Sequence, residues 1–369
     1  MDCSVNRPTW VPGADSGAAL KKFFEIVKVK YQIKDLSELQ QWSVEYSGQF
    51  WSEVWDFFGV IGEKGDRTEI PSKLPEAKYF PDAKLSHLEN LLAGGGGVSV
   101  VKEADIENIG ENLSHKELVN MVSALINTFN KQGISESDRV VAILPVGIEV
   151  LVTTLAGFGV GATVATASPE FGADAILSRF SQLEPTVLVF SYSYPWQGKE
   201  LDRSQMVAEV AKALPSLRLI IGLSESNVLP NVVLWSAATS EPKEVIFTKR
   251  SFDHPAYVLF TSGTTGAPKG LLHRSGGVLL KHLVEMNLHC DIKAGDRVCF
   301  YTTTGWMMWN WELSVLTTGA DLVLYDGAPT YPDSLRLFHF AREQKLTHLG
   351  ISARLLDLIR EQHPDLKVL

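Results

Sequence analysis

From Val98 onward, short apolar runs alternate with stretches of helical periodicity, and few folds satisfy such a pattern. Ser114-His-Lys-Glu117 is a capping box that opens a helix to about Lys131. Arg139 to Leu144 reads as a buried strand stopped by Pro145. Then come a helix from about Ile148, a strand from Thr163 to Ala167, a helix from Gly172 to Leu183 and a strand from Thr186 to Phe190. A helix near Leu201 to Leu214 leads to a strand at Leu217 to Ile221. After a polar, proline-containing connection from Ser240 to Pro255, strands are expected at Tyr257 to Phe260, Arg297 to Thr302, Leu322 to Tyr325 and Thr347 to Gly350. The helices between and after them fall near Ser275 to Leu288, Met307 to Thr317, Asp333 to Gln344 and Ala353 to Gln362. Such alternation predicts βαβ units, a mainly parallel sheet and an α/β fold.

The stretch before Val98 has another texture. Leu20, Phe23, Phe24, Val27 and Tyr31 share one helical face. Asp35 caps a second helix, with Glu38 at the reciprocal position. Trp51, Val54, Trp55 and Phe58 form a third apolar stripe, which Gly59 is placed to end. Gly94 to Gly97 read as a flexible break, so a boundary is expected there: a helical extension at 1–96 and the larger domain at 97–369.

Bulk properties exclude several classes. With 34 basic and 43 acidic residues, net charge −9, the chain lacks the basic face of a nucleic-acid binder. Val150 to Ala167 carries no charge over 18 residues, but its glycines and threonines favour a buried helix running into a buried strand over a membrane span. Three cysteines, without metal-ligand spacing, and an N-terminus unlike a secretory signal suit the cytosol. His282, His289, His339 and His348 likewise form no metal-ligand set. Gly157-Phe-Gly-Val-Gly-Ala162 fits a loose dinucleotide pattern, but it ends a helix where a real one would open it.

Chemistry concentrates in Tyr257 to Gly270, YVLFTSGTTGAPKG. A strand delivers the chain into Thr261-Ser-Gly-Thr-Thr-Gly-Ala-Pro-Lys269. Glycines let successive backbone N–H groups point into one concavity, hydroxyls add donors, and the lysine adds a charge. This is the physical content of a phosphate-binding loop. It is not a Walker A loop, since Pro268 precedes the lysine and Gly270 follows it. His273 and Arg274 follow closely and are candidates for orienting the loop or for a purely structural role.

The run resembles the signature loop of the adenylate-forming superfamily, which includes acyl-CoA synthetases, luciferases and peptide-synthetase adenylation domains. That resemblance implies the N-terminal domain fold of those enzymes, with ATP phosphates held by Thr261, Ser262, Gly263, Thr264, Thr265, Gly266 and Lys269. The implied reaction is attack of a carboxylate on the α-phosphorus with loss of pyrophosphate. Donors and Mg2+ then offset repulsion between two anions. Asp35 to Phe58 and Tyr79 to Leu92 are similar to the N-terminal extension of acetyl-CoA-synthetase-type enzymes, which implies coenzyme A as the acceptor.

Thr304-Gly-Trp-Met-Met-Trp-Asn-Trp-Glu312 and Ser168-Pro-Glu-Phe-Gly172 resemble acetoacetyl-CoA synthetases. The implied pocket comprises Gly305, Trp306, Met308, Trp309 and Asn310. If Trp306 starts a helix, Trp309 and Asn310 share its face, so two indoles wall a short slot and Asn310 meets a ketone. The alternative is a core role for these tryptophans, and it is the expected one for Trp311. The expected substrates are therefore acetoacetate, ATP and CoA. The alternatives are an acetyl, propionyl or other short-chain synthetase, another acceptor as in luciferases, or a non-catalytic ATP-binding protein. The pattern stops at Leu369, which leads to the expectation of a C-terminally truncated chain, inactive by itself. By the resemblance, the adenylating lysine, the ribose-binding Asp and the acidic magnesium motif lie beyond it, so no catalytic or metal residue is assignable.

Overall fold

The computed structural model describes residue 13 and residues 16–73, 76–261 and 266–365. Two mainly parallel sheets dominate it. The first has seven strands in the spatial order Val233–Leu234, Leu219–Gly222, Val187–Phe190, Arg139–Ile143, Thr163–Ala167, Pro255–Thr261 and Lys269–Arg274. Only its last pair is antiparallel. The second has five strands in the order His348–Gly350, Arg297–Phe300, Asp321–Asp326, Val98–Lys102 and Glu111–Leu113, again with an antiparallel last pair. The α/β expectation holds, now divided between two sheets. Val98–Lys102 joins the far end of the chain by pairing with Asp321–Asp326.

Helix Ile148–Val160 is buried on nearly every side, which accounts for its uncharged sequence. Among the described residues no helix is long and apolar enough to cross a membrane. The glycines in this helix serve packing. A Cβ at Gly157 would lie 2.5 Å from Val164, and one at Gly159 would lie 2.4 Å from Ile126.

Three helices, Ala18–Tyr31, Leu36–Glu45 and Ser47–Phe58, form the N-terminal part. Asp35 Oδ1 accepts from the Glu38 amide at 2.9 Å, but Glu38 reaches back to the Lys34 amide, one residue beyond the expected partner. Phe23, Val27, Trp42, Val54 and Trp55 share a core with Phe252 and with Leu279, Leu280 and Leu283 of helix Ser275–Leu283. Glu53, itself buried, accepts from Lys30 Nζ at 2.5 Å and from the Tyr31 hydroxyl at 2.7 Å, tying the first helix to the third. The glycine run is no flexible break. A Cβ at Gly94 would meet the Leu316 carbonyl oxygen at 2.2 Å and one at Gly96 would meet that of Ala320 at 2.0 Å, so only glycine permits this approach.

Candidate active site

Parallel sheets gather ligands at the carboxyl ends of their strands. Here those ends from both sheets converge. Pro145 and Val146 follow the Arg139–Ile143 strand, Ser168, Pro169 and Glu170 follow Thr163–Ala167, and Tyr301–Thr304 follow Arg297–Phe300. With Tyr325, Asp326 and Gly327 they line one cleft. Thr304, almost fully buried, joins the sheets at its floor. Its hydroxyl donates to the Leu144 carbonyl at 2.8 Å, and the Thr166 hydroxyl donates to the Thr304 carbonyl at 2.5 Å.

A hairpin, Ser193–Trp196 with Lys199–Asp202, contributes Tyr194, Pro195 and Trp196 to the cleft. Buried Glu103 anchors its turn: Oε1 accepts from the Gly198 amide at 2.6 Å, and Oε2 from those of Gln197 at 3.2 Å and Ala328 at 2.5 Å. The Arg336 guanidinium donates to the Glu103 carbonyl. No sequence signal marked Glu103, because its three amide partners come from distant loops.

The expected phosphate loop leaves the next strand of the first sheet. Strand Pro255–Thr261 runs parallel to Thr163–Ala167 and returns as Lys269–Arg274, with Thr261 opposite Lys269. Both residues are exposed at the mouth of the hairpin. Ser262, Gly263, Thr264 and Thr265 lie outside the described residues. Gly266 has φ 114°, a conformation that favours glycine. The Gln182 amide donates to the Pro268 carbonyl at 2.9 Å, anchoring the loop's far side. His273 stacks on Tyr257 at 4.8 Å, and Arg274 pairs with Asp253 at 3.0 Å, so both brace the hairpin. The return strand escapes sequence reading because Leu271 and Leu272 are both exposed and break the two-residue alternation.

The segment after Thr304 departs from expectation. Helix Met307–Glu312 begins one residue later than the slot requires. Trp306 precedes it with an extended backbone and is 65% exposed, while Trp309 is fully buried in the main core. The two indoles therefore do not wall one slot. Trp311, expected in the core, packs half-buried against it, and its indole N–H donates to Glu285 at 3.1 Å. Asn310 is buried and Met308 half-buried. None of Gly305, Trp306, Met308, Trp309 and Asn310 lines the cleft itself, which takes Thr302, Thr303 and Thr304 from this stretch. Gly305 nevertheless brings the two singled-out segments together, since a Cβ there would lie 3.1 Å from the Phe171 ring.

Two carboxyls, the half-buried Asp326 and the buried Glu312, complete the surroundings. Burial raises Asp326 to about 7 despite Lys102, and burial raises Glu312 to about 8 despite its bond from the Phe300 amide. Both are held protonated through the ordinary carboxylate range.

Residues 98–369 match the family described as AMP-binding enzyme. The chain is 35% identical to the acetoacetyl-coenzyme A synthetase of Rhizobium meliloti, covering 97% of this chain and 57% of that one. It is 30% identical to a malonamoyl-CoA synthetase of Penicillium aethiopicum, over 96% of this chain and 54% of the relative. The solved acetoacetyl-CoA synthetase from Streptomyces lividans superposes with TM-score 0.90 at 33% identity, over 96% of this chain and 57% of that one. The chain thus spans a little over half the length of these relatives. With the match extending from Val98, at the start of a strand of the second sheet, to the chain's last residue, the chain belongs to the AMP-binding enzyme family.

Proposed function

We propose that the intact protein is an AMP-forming acetoacetate–CoA ligase, which makes acetoacetyl-CoA through an acyl-adenylate. The observation that carries this reading is the meeting of Ser168–Phe171 with Thr304–Gly305 beside the cleft. In this reading 1–96 is a helical extension and 97–369 the nucleotide-binding part. Thr261 to Gly266 and Lys269 hold the ATP phosphates, offsetting charge on the leaving pyrophosphate. Phe171, Gly305 and Trp306 border the acyl group, and the Asn310 amide donates to its 3-oxo oxygen. Among the described residues no cluster of His, Cys, Asp or Glu is arranged to hold a metal. Mg2+ would ride on the nucleotide phosphates, where it usually binds. The free thiols of Cys290 and Cys299 suit a cytosolic setting.

The malonamoyl-CoA synthetase relative sharpens the substrate class. Malonamate and acetoacetate are near-isosteres that share a carbonyl at the third carbon, which favours a short 3-oxo acid over plain acetate. The test is acid-dependent pyrophosphate exchange by the intact protein with acetoacetate, malonamate, butyrate and acetate. Acetoacetate should be used most efficiently. Equal use of butyrate or acetate would reject the 3-oxo reading.

A further inference from the structure

The end of strand Arg297–Phe300 is irregular on one side only. It pairs with His348–Gly350 to its last residue, as Val298 with His348, Cys299 with Leu349 and Phe300 with Gly350. With Asp321–Asp326 it pairs only as Arg297 with Asp321 and Val298 with Leu322. Alternate residues of a central parallel strand bond to opposite neighbours. Arg297 accepts from Thr347 and Tyr301 donates to Gly350 on one side, while Asp296 accepts from Asp321 on the other. The Phe300 amide therefore faces the Asp321–Asp326 strand. It donates instead to Glu312 Oε1, at 2.7 Å.

We infer that Glu312 is a positioning residue, whose carboxyl replaces a sheet hydrogen bond and holds Tyr301–Thr304 clear of the neighbouring strand so that they line the cleft. Its surroundings make the placement costly without such a role. Glu312 is 1% exposed, closes a helix beside the buried Trp309, Leu313 and Val315, and has Oε2 without a hydrogen-bond partner among the described residues. An apolar residue would avoid that desolvation but leave the Phe300 amide unbonded. Burial keeps the acid neutral, with its titration pushed up to about 8. Cys299, on the strand beside it, is the titratable neighbour that senses it, and burial raises that thiol well above its usual range. Ionisation at alkaline pH places an unpaired charge in this site and loosens the segment.

That this positioning serves catalysis rests on the reading of the cleft given above; the contact itself does not. Amide exchange is therefore followed in peptides spanning 299–304, with 139–143 as an internal control, at about pH 6.5 and about pH 9. Protection in the original protein should fall roughly tenfold more at the higher pH in 299–304 than in 139–143. Glu312→Gln, a permanent neutral acceptor, should match the original at the lower pH and keep its protection at the higher. Glu312→Leu should lose about tenfold in 299–304 at both, with 139–143 unchanged. Identical pH profiles for the original protein and Glu312→Gln would overturn the inference, as would full protection in Glu312→Leu. If the leucine variant does not fold, the glutamine comparison decides alone. A mistaken substrate assignment would show separately, as absent acid-dependent exchange of pyrophosphate with this protection pattern intact.

Discussion

The Thr304 hydroxyl donates to the Leu144 carbonyl across 2.8 Å, joining two residues 160 apart in sequence and two different sheets. Leu144 follows a strand of the first sheet and Thr304 comes shortly after a strand of the second. The bond lies at the floor of the cleft, so fold and site share one contact. Thr304→Val removes the donor and leaves a buried carbonyl unpaired. Unfolding free energy should drop by about 1–3 kcal/mol, read by denaturant titration, whereas Thr304→Ser should retain most of it.

Lys269 faces Thr261 across the hairpin and is the loop's cation. Lys269→Ala should weaken ATP binding by about tenfold or more in calorimetry. AMP, lacking the terminal phosphates, should bind with little change. Equal loss for the two nucleotides would remove the lysine from the phosphate site.

Asn310 is the proposed partner of the 3-oxo group. Asn310→Ala should reduce the preference of the intact enzyme for acetoacetate over butyrate by about tenfold, the weight of one good hydrogen bond. A preference left whole would return Asn310 to a packing role.

Three buried groups, His87, His282 and Glu312, and the half-buried Asp326 predict a stability plateau with pH. Burial holds His87 and His282 near 3, below the usual 6.5, so the unfolded chain binds more protons in that window and stability falls as pH drops through it. Burial raises Glu312 from 4.5 to about 8 and Asp326 from 3.8 to about 7, so their contributions are whole in acid and lost as pH rises to those values. The two slopes oppose each other between about pH 4.5 and pH 6.5, and each group contributes at most about 1.4 kcal/mol per pH unit. Thermal unfolding should thus be most favourable to the fold in that interval and decline on both sides. Glu312→Gln should flatten the alkaline decline.

Gly95 and Gly96 should respond differently to alanine. Gly96→Ala forces a Cβ to within 2.0 Å of the Ala320 carbonyl oxygen, a backbone atom that cannot step aside. A loss of about 3 kcal/mol or more is expected. Gly95 has φ 80° with nothing within 4 Å of an added Cβ, so Gly95→Ala strains only the backbone and costs about 1–2 kcal/mol. Urea unfolding of both variants separates the two mechanisms.

Local order was written in the residues themselves. The Ser114–Glu117 capping box, the αL glycine after Phe58 and the strand Thr163–Ala167 all lie where periodicity and caps put them, because their determinants are within a few residues. The candidate phosphate loop stood out in the sequence for the same reason: its residues are contiguous. Tertiary structure alone decided the rest. It split the strands between two sheets, turned the loop into a hairpin, buried Trp309 while exposing Trp306, and set Glu103 and Glu312 on backbone amides far away or across a strand gap. Those outcomes depend on which surfaces meet, and a one-residue shift in a helix start redirects every side chain behind it. No periodicity along the chain encodes such a meeting.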